Sequence, residues 1–198
     1  MTRAAVLLLL LTTACVEDLA PQTDVTDDTD ATDTADTDDT GEPADARVVF
    51  EGPDGDGVTI ATIDATGAED FVRVDLATSS EADGEASWTL GFQRYTVIVD
   101  GGSSGDGDVE AVFVADASFD SAPPTDGWAT DAPDADDDGK DELVFGSWYD
   151  YNPENHVLTP KAGTWFVRDA QHVWALQILG YYSEAGDGGY PEIRFREL

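Results

Sequence analysis

Cysteine, histidine and positive charge are all scarce in this chain. Among 198 residues there is one cysteine, Cys15, one methionine, Met1, and two histidines, His156 and His172. A single cysteine leaves no intramolecular disulfide and no paired-cysteine zinc site. No nucleophile elbow, phosphate-binding glycine loop or HExxH motif is present. Nucleophile chemistry needs a Ser or Cys with a base beside it, and the two histidines offer little for that purpose. Carboxylate pairs can hydrolyse glycosides, but in so acidic a chain some pair always looks suggestive. The expectation is a binding protein and not an enzyme.

Bases are also few, with nine Lys and Arg against 43 Asp and Glu and a formal net charge of −34. Twelve of the acids, from Glu17 to Asp45, lie in a stretch without a base, which leaves 31 acids against 8 bases from Arg47 onward, a net of −23. Such a surface repels phosphate backbones and anionic head groups, so nucleic acid is excluded as a partner. Cationic partners and divalent metals are favoured. No segment reaches the roughly 20 apolar residues that a membrane-spanning helix requires.

What the N-terminus does contain is Arg3, an apolar run from Ala4 to Leu11, and the small residues Thr12, Thr13 and Ala14 before Cys15. This order predicts a lipoprotein signal peptide over 1–14 and a lipidated Cys15, anchoring the protein to a membrane through acyl chains. Thr12 stands where such a cleavage site usually carries Leu, Val or Ile, and an ordinary secretory signal is the alternative. Residues 15–46 continue as an Asp/Thr-rich tether. Its composition buries too little apolar surface to fold and its like charges extend it, so a disordered spacer is expected.

From residue 47 to 198 the chain changes to short runs of Val, Ile, Phe, Tyr and Trp separated by Gly, Asp and Pro, which are strand and turn signals. The expected fold is all-β, a single sandwich-like domain of antiparallel sheets. Strands are predicted over 47–50, 58–63, 71–76, 87–99, 109–114, 142–149, 163–168, 172–181 and 192–196. In the run 87–99, Trp88, Leu90 and Phe92 have one parity and Tyr95, Val97 and Val99 the other, which predicts a bulge near Gln93 and Arg94. Residues 165–168 and 173–176, with a tip at Asp169 and Ala170, predict a hairpin.

Two local features suggest ligands. Asp134, Asp136 and Asp138, followed by Gly139, Lys140 and Glu142, have the spacing of an oxygen-rich calcium loop, with the Lys140 carbonyl and Glu142 as further donors. Phe145 stands where an EF-hand needs its final Glu, and a solvated acidic turn is the alternative. His156 and His172 are candidate metal or haem ligands, each with a structural alternative as a turn or hairpin-tip residue.

Several phrases occur together and in order: 74–78 (VDLAT), 88–95 (WTLGFQRY), 100–105 (DGGSSG), 148–160 (WYDYNPENHVLTP) and 176–182 (LQILGYY). With them the chain resembles the HmuY-like family of bacterial lipoproteins. The resemblance implies an all-β domain, an outer-membrane anchor in a Gram-negative bacterium, facing the periplasm or the cell surface, and capture of haem by two axial side chains for iron acquisition. A haem-carrying protein is the implied partner. His156 first and His172 second, or a tyrosine in place of one, are the expected ligands. The competing expectation is a calcium-stabilised adhesion or scaffold domain without haem.

Overall fold

The computed structural model describes residues 46–84 and 86–198. The expected cleavage site, Cys15 and the tether to residue 45 lie outside the described residues. Among the described residues there is no helix long and apolar enough to cross a membrane.

Among the described residues twelve strands form, all paired antiparallel: β1 (Val48–Glu51), β2 (Thr59–Ile63), β3 (Val72–Asp75), β4 (Ser80–Ala82), β5 (Leu90–Gln93), β6 (Thr96–Val99), β7 (Glu110–Ala115), β8 (Tyr149–Asn152), β9 (Val157–Pro160), β10 (Gly163–Arg168), β11 (Val173–Tyr182) and β12 (Gly188–Glu197). They make a six-stranded sheet in the order β1-β2-β12-β11-β10-β7, a four-stranded sheet β4-β3-β5-β6, and a separate hairpin of β8 and β9. The all-β expectation is borne out.

Alternation explains which residues meet between the sheets, because successive side chains on a strand point to opposite faces. Val72 and Val74 of β3 and Leu90 and Phe92 of β5 are fully or almost fully buried and join one core with Trp165, Val167, Trp174, Leu176, Ile193 and Phe195 of the larger sheet. The parity change in 87–99 is not a bulge in one strand. It is a hairpin, with Leu90 opposite Val99 and Phe92 opposite Val97 across a two-residue turn at Arg94 and Tyr95. Facing residues of an antiparallel pair share a side, so both parities reach the same core. Arg94 takes the positive φ of 52° that the tight turn needs.

The hairpin predicted around residue 169 forms as expected, with Trp165 opposite Leu176 and Arg168 opposite Val173. The strand predicted over 142–149 does not form. Residues 144–147 turn instead, and their apolar side chains plug the core from a loop, with Phe145 stacked on Trp165 at 4.1 Å between ring centroids. Only Tyr149 enters a strand, the first of the unpredicted β8–β9 hairpin.

The outer face of β10 and β11 is covered too. Phe166 and Ala175 are buried beneath Phe119 and Trp128 from the excursion after β7. Arginines hold that cover by their flat guanidinium groups: Arg168 lies 4.2 Å from the Trp128 ring, and Arg194 and Arg196 lie 4.6 and 5.3 Å from that of Phe119.

One buried acid ties the loops to this frame. Asp131 is 1 % exposed, and its carboxylate accepts the Val99 N–H of edge strand β6 at 3.0 Å and the Val144 N–H at 2.8 Å. Its own carbonyl accepts the Ser103 N–H at 2.9 Å, and Gly102, at φ 65°, passes too close for a β-carbon. Replacing Asp131 by Ala leaves two inward-facing amides without partners and is expected to cost about 2–4 kcal/mol. Asn, which keeps one good acceptor, is expected to cost less. Urea unfolding checks both, and an Asp131→Ala protein as stable as the native one contradicts the assignment.

Candidate functional site

The β5–β6 turn, the loop after Lys140 and the β8–β9 hairpin enclose a cleft of about 720 Å³, within the range of small-molecule sites. Its walls are mainly aromatic and aliphatic: Tyr95, Val97, Leu143, Tyr149, Tyr151 and Leu158, with Lys140 and Asp141 at the polar side. The cleft is positioned from beneath by Trp148, which is 2 % exposed and donates its indole N–H to the Tyr95 carbonyl at 2.9 Å. Tyr149 packs edge-on against Trp148 at 4.9 Å and Tyr95 at 6.3 Å.

Burial, reinforced by the neighbouring Tyr95, raises the Tyr149 pKa above the usual 10.0 and keeps it a neutral phenol. Burial also raises that of Tyr181, against the opposing charge of Arg94. Tyr151 is different: it is half exposed, and its hydroxyl is hydrogen bonded to His156 Nδ1. Sequence reasoning did not single out Tyr151. Its spacing of two from Tyr149 within a strand, which puts both on one face, was the available signal.

His156 is exposed, in the turn between β8 and β9, with a positive φ of 59°. His172 is at the β10–β11 tip, stacked on Trp174 with centroids 5.2 Å apart. Its Nδ1 lies 3.1 Å from the Asp169 carboxylate, which also accepts the His172 and Gln171 N–H groups at 2.7 Å. The structure does not bring the two histidines together. His172 precedes the first residue of β11, whereas Tyr182, the last of its ten residues, accepts the Leu158 N–H near His156 at 2.8 Å. A strand of that length spans roughly 30 Å, so one iron does not receive both imidazoles as axial ligands in this arrangement.

The acidic loop brings Asp134, Asp136 and Asp138 together, with one carboxylate oxygen from each within 4.8 Å of the others. Backbone amides already converge there: Asp134 accepts Gly139 N–H at 2.7 Å, and Asp138 accepts Lys140 N–H at 2.9 Å. The Gly139 hydrogen bond, aided by those of Asp137, Asp138 and Asp136 against some desolvation, lowers the Asp134 pKa below 3.8. The Glu142 backbone pairs with that of Ala132 at the base of the loop. Lys140 lines the aromatic cleft.

No protein-family model and no curated protein matches the chain. Solved structures do match. A candidate HmuY-like haem-binding protein of Bacteroides vulgatus superposes with a TM-score of 0.57 at 14 % identity, covering 76 % of this chain and 97 % of its own. The apo HmuY analogue of Tannerella forsythia gives 0.58 at 12 % identity, covering 78 % and 98 %. A candidate lipoprotein of Bacteroides fragilis gives 0.55 at 15 % identity, covering 77 % and 96 %. The chain therefore has the antiparallel β-sandwich architecture of a group of bacterial binding proteins and lipoproteins. More narrowly, its fold is the HmuY-like fold, and the resemblance read from the sequence is borne out at that level.

The Asp169 hydrogen bond raises the His172 pKa above 6.5 against partial desolvation, with the charges of Asp169, Glu197 and Asp75 adding to it. For Asp169 burial alone acts upward, but the hydrogen bonds from Gln171 and His172 outweigh it and the pKa falls below 3.8. The His172 contribution to stability is therefore full below pH 6.5 and lost as the pH rises through its folded value. The Asp169 contribution is present above pH 3.8 and lost on acidification. An NMR titration of the His172 ring is expected to show the raised value, and Asp169→Asn to lower it. A His172 that titrates identically in both proteins contradicts the pairing.

Proposed function

We propose that this chain is a member of the HmuY-like family, anchored to the outer membrane of a Gram-negative bacterium through acyl chains on Cys15, with its tether carrying a domain that binds haem or a related tetrapyrrole for iron acquisition. The observation that carries this reading is the aromatic cleft beside the Tyr151–His156 pair, in a fold shared with haem-binding proteins. Flat aromatic walls suit a planar macrocycle, and neutral imidazole and tyrosine oxygen are established iron ligands. Lys140 at the wall and Arg94 beside Tyr181 supply cations for propionate groups in an otherwise acidic domain.

In this reading His156 is the first ligand and Tyr151 the nearest partner. His172, at the other end of β11, remains the second histidine to test. Haemin titration of the full chain is expected to give a Soret band that weakens roughly tenfold in affinity in His156→Ala and further in His156→Ala with Tyr151→Phe, with His172→Ala having the smaller effect. Absence of the band overturns the function. A band indifferent to His156 and Tyr151 but lost in His172→Ala moves the site to the β10–β11 tip.

The converging carboxylates of Asp134, Asp136 and Asp138 favour a second reading, that of a calcium-stabilised adhesion or scaffold domain. In it the three aspartates hold the ion, with the Lys140 carbonyl and Glu142 as further donors. A ligand bound only by the folded state stabilises it by RT ln(1 + [L]/Kd). Calcium is then expected to raise the melting temperature over that in EDTA, and Asp136→Ala with Asp138→Ala to abolish the difference. Identical melts in calcium and chelator overturn this reading and leave the haem proposal standing.

A further inference from the structure

Away from the aromatic cleft, a second depression of about 500 Å³ lies between the β4–β5 connection and the Asp100–Asp108 loop. Its character is the opposite, strongly polar. Arg73, Ser87, Trp88, Asp100, Ser103 and Ser104 carry its chemistry. Arg73 is fixed in place: its guanidinium lies 5.1 Å from the Trp88 ring and donates to the Gly84 carbonyl at 3.0 Å. The loop is built tightly onto this floor. Gly107 donates its N–H to the Asp100 carboxylate at 3.0 Å, and β-carbons at Gly105 and Gly107 would strike Asp100.

Buried polar atoms are normally partnered, and each exception calls for an explanation. Among the described residues two buried side-chain polar atoms lack a hydrogen-bond partner, Arg73 Nε and Thr130 Oγ1. They flank the same loop, since Thr130 lines a depression on its other side that shares Gly102 and Gly107 with the first. Both atoms are closed to solvent, so a ligand in the cleft meets the other polar groups of its lining.

Charge narrows the ligand class. An anion meets Arg73 but also Asp100 and Asp106 within the same cleft, in a domain of net −23. A cation meets Arg73 on the cleft floor. A neutral ligand with many hydroxyl groups can both accept from the guanidinium and serine hydroxyls and donate to the carboxylates, without the penalty of burying an unpaired charge. We infer that the Arg73–Asp100–Ser104 cleft is a binding site for a neutral carbohydrate, of mono- or disaccharide size, independent of the haem-binding cleft.

Titration of the full chain with glucose, galactose, mannose, N-acetylglucosamine, maltose and lactose, followed by tryptophan fluorescence, tests this. At least one sugar is expected to give a saturable change by about 10 mM, lost in Trp88→Phe if that ring is the reporter. Arg73→Gln is expected to weaken binding roughly tenfold. Ser104→Ala, a change on the loop surface that leaves the Arg73 stack untouched, is expected to weaken it less, and both are expected to leave haemin binding unchanged. No saturable response to any of the six, saturation by acetate or phosphate instead, or unaltered sugar affinity in folded Arg73→Gln and Ser104→Ala proteins each overturns the proposal.

Discussion

The arrangement of both clefts depends on the buried carboxylate of Asp131. Edge strand β6 has no neighbouring strand on its outer side, and an unpartnered buried amide costs as much as a lost hydrogen bond. Asp131 meets the Val99 amide on that edge and the Val144 amide on the loop that follows, so one side chain does the work of a neighbouring strand. On one side of this junction the segment 143–149 is held where Phe145 and Trp148 enter the core and Tyr149 reaches the aromatic cleft. On the other, the Ser103 amide and Gly102 bring the polar loop against the Asp131 backbone.

Electrostatics divides the molecule in a second way. The domain has few cations, and several are placed against aromatic rings: Arg168 on Trp128, Arg194 and Arg196 by Phe119, Arg73 by Trp88. Two of them are also ion-paired, Arg168 with Glu110 and Arg196 with Asp120. These positions fasten a covering segment to the six-stranded sheet and a strand to its neighbour. The acids face solvent by comparison, which is consistent with a surface unsuited to polyanions.

Much of this was legible in the sequence, and the exceptions have physical reasons. Strand β3 was readable because Val72 and Val74 alternate with Arg73 and Asp75, and the β10–β11 hairpin because two strong β runs flank a short polar tip. The β5–β6 hairpin was misread as one bulged strand because its turn is Arg-Tyr and carries no Gly or Asn to announce it. The β8–β9 hairpin was missed because Tyr149–Asn152 is largely exposed and shows no alternation of burial. Phe145 and Trp148 looked like strand residues but fill the core from a turn. At the site, His156 and the aspartate triad were visible as motifs. The separation of the two histidines was not, since it depends on β11 running as one ten-residue element between its two bonded neighbours, β10 and β12. Asp131 was hidden among many acids, distinguished only by what surrounds it.

The β8–β9 hairpin, described above as one wall of the aromatic cleft, also sets a gradient of local stability. It pairs only with itself, and its hydrogen bonds to the body are few: the adjoining Trp148 indole donates to the Tyr95 carbonyl and the Leu158 amide donates to the Tyr182 hydroxyl. Elements with few buried contacts open at a lower free energy than the core. The amides of β8 and β9 are thus placed to exchange with solvent while β10, β11 and β12 stay closed, and a ligand bridging this hairpin to Tyr95 would slow their exchange more than that of any strand in the sandwich.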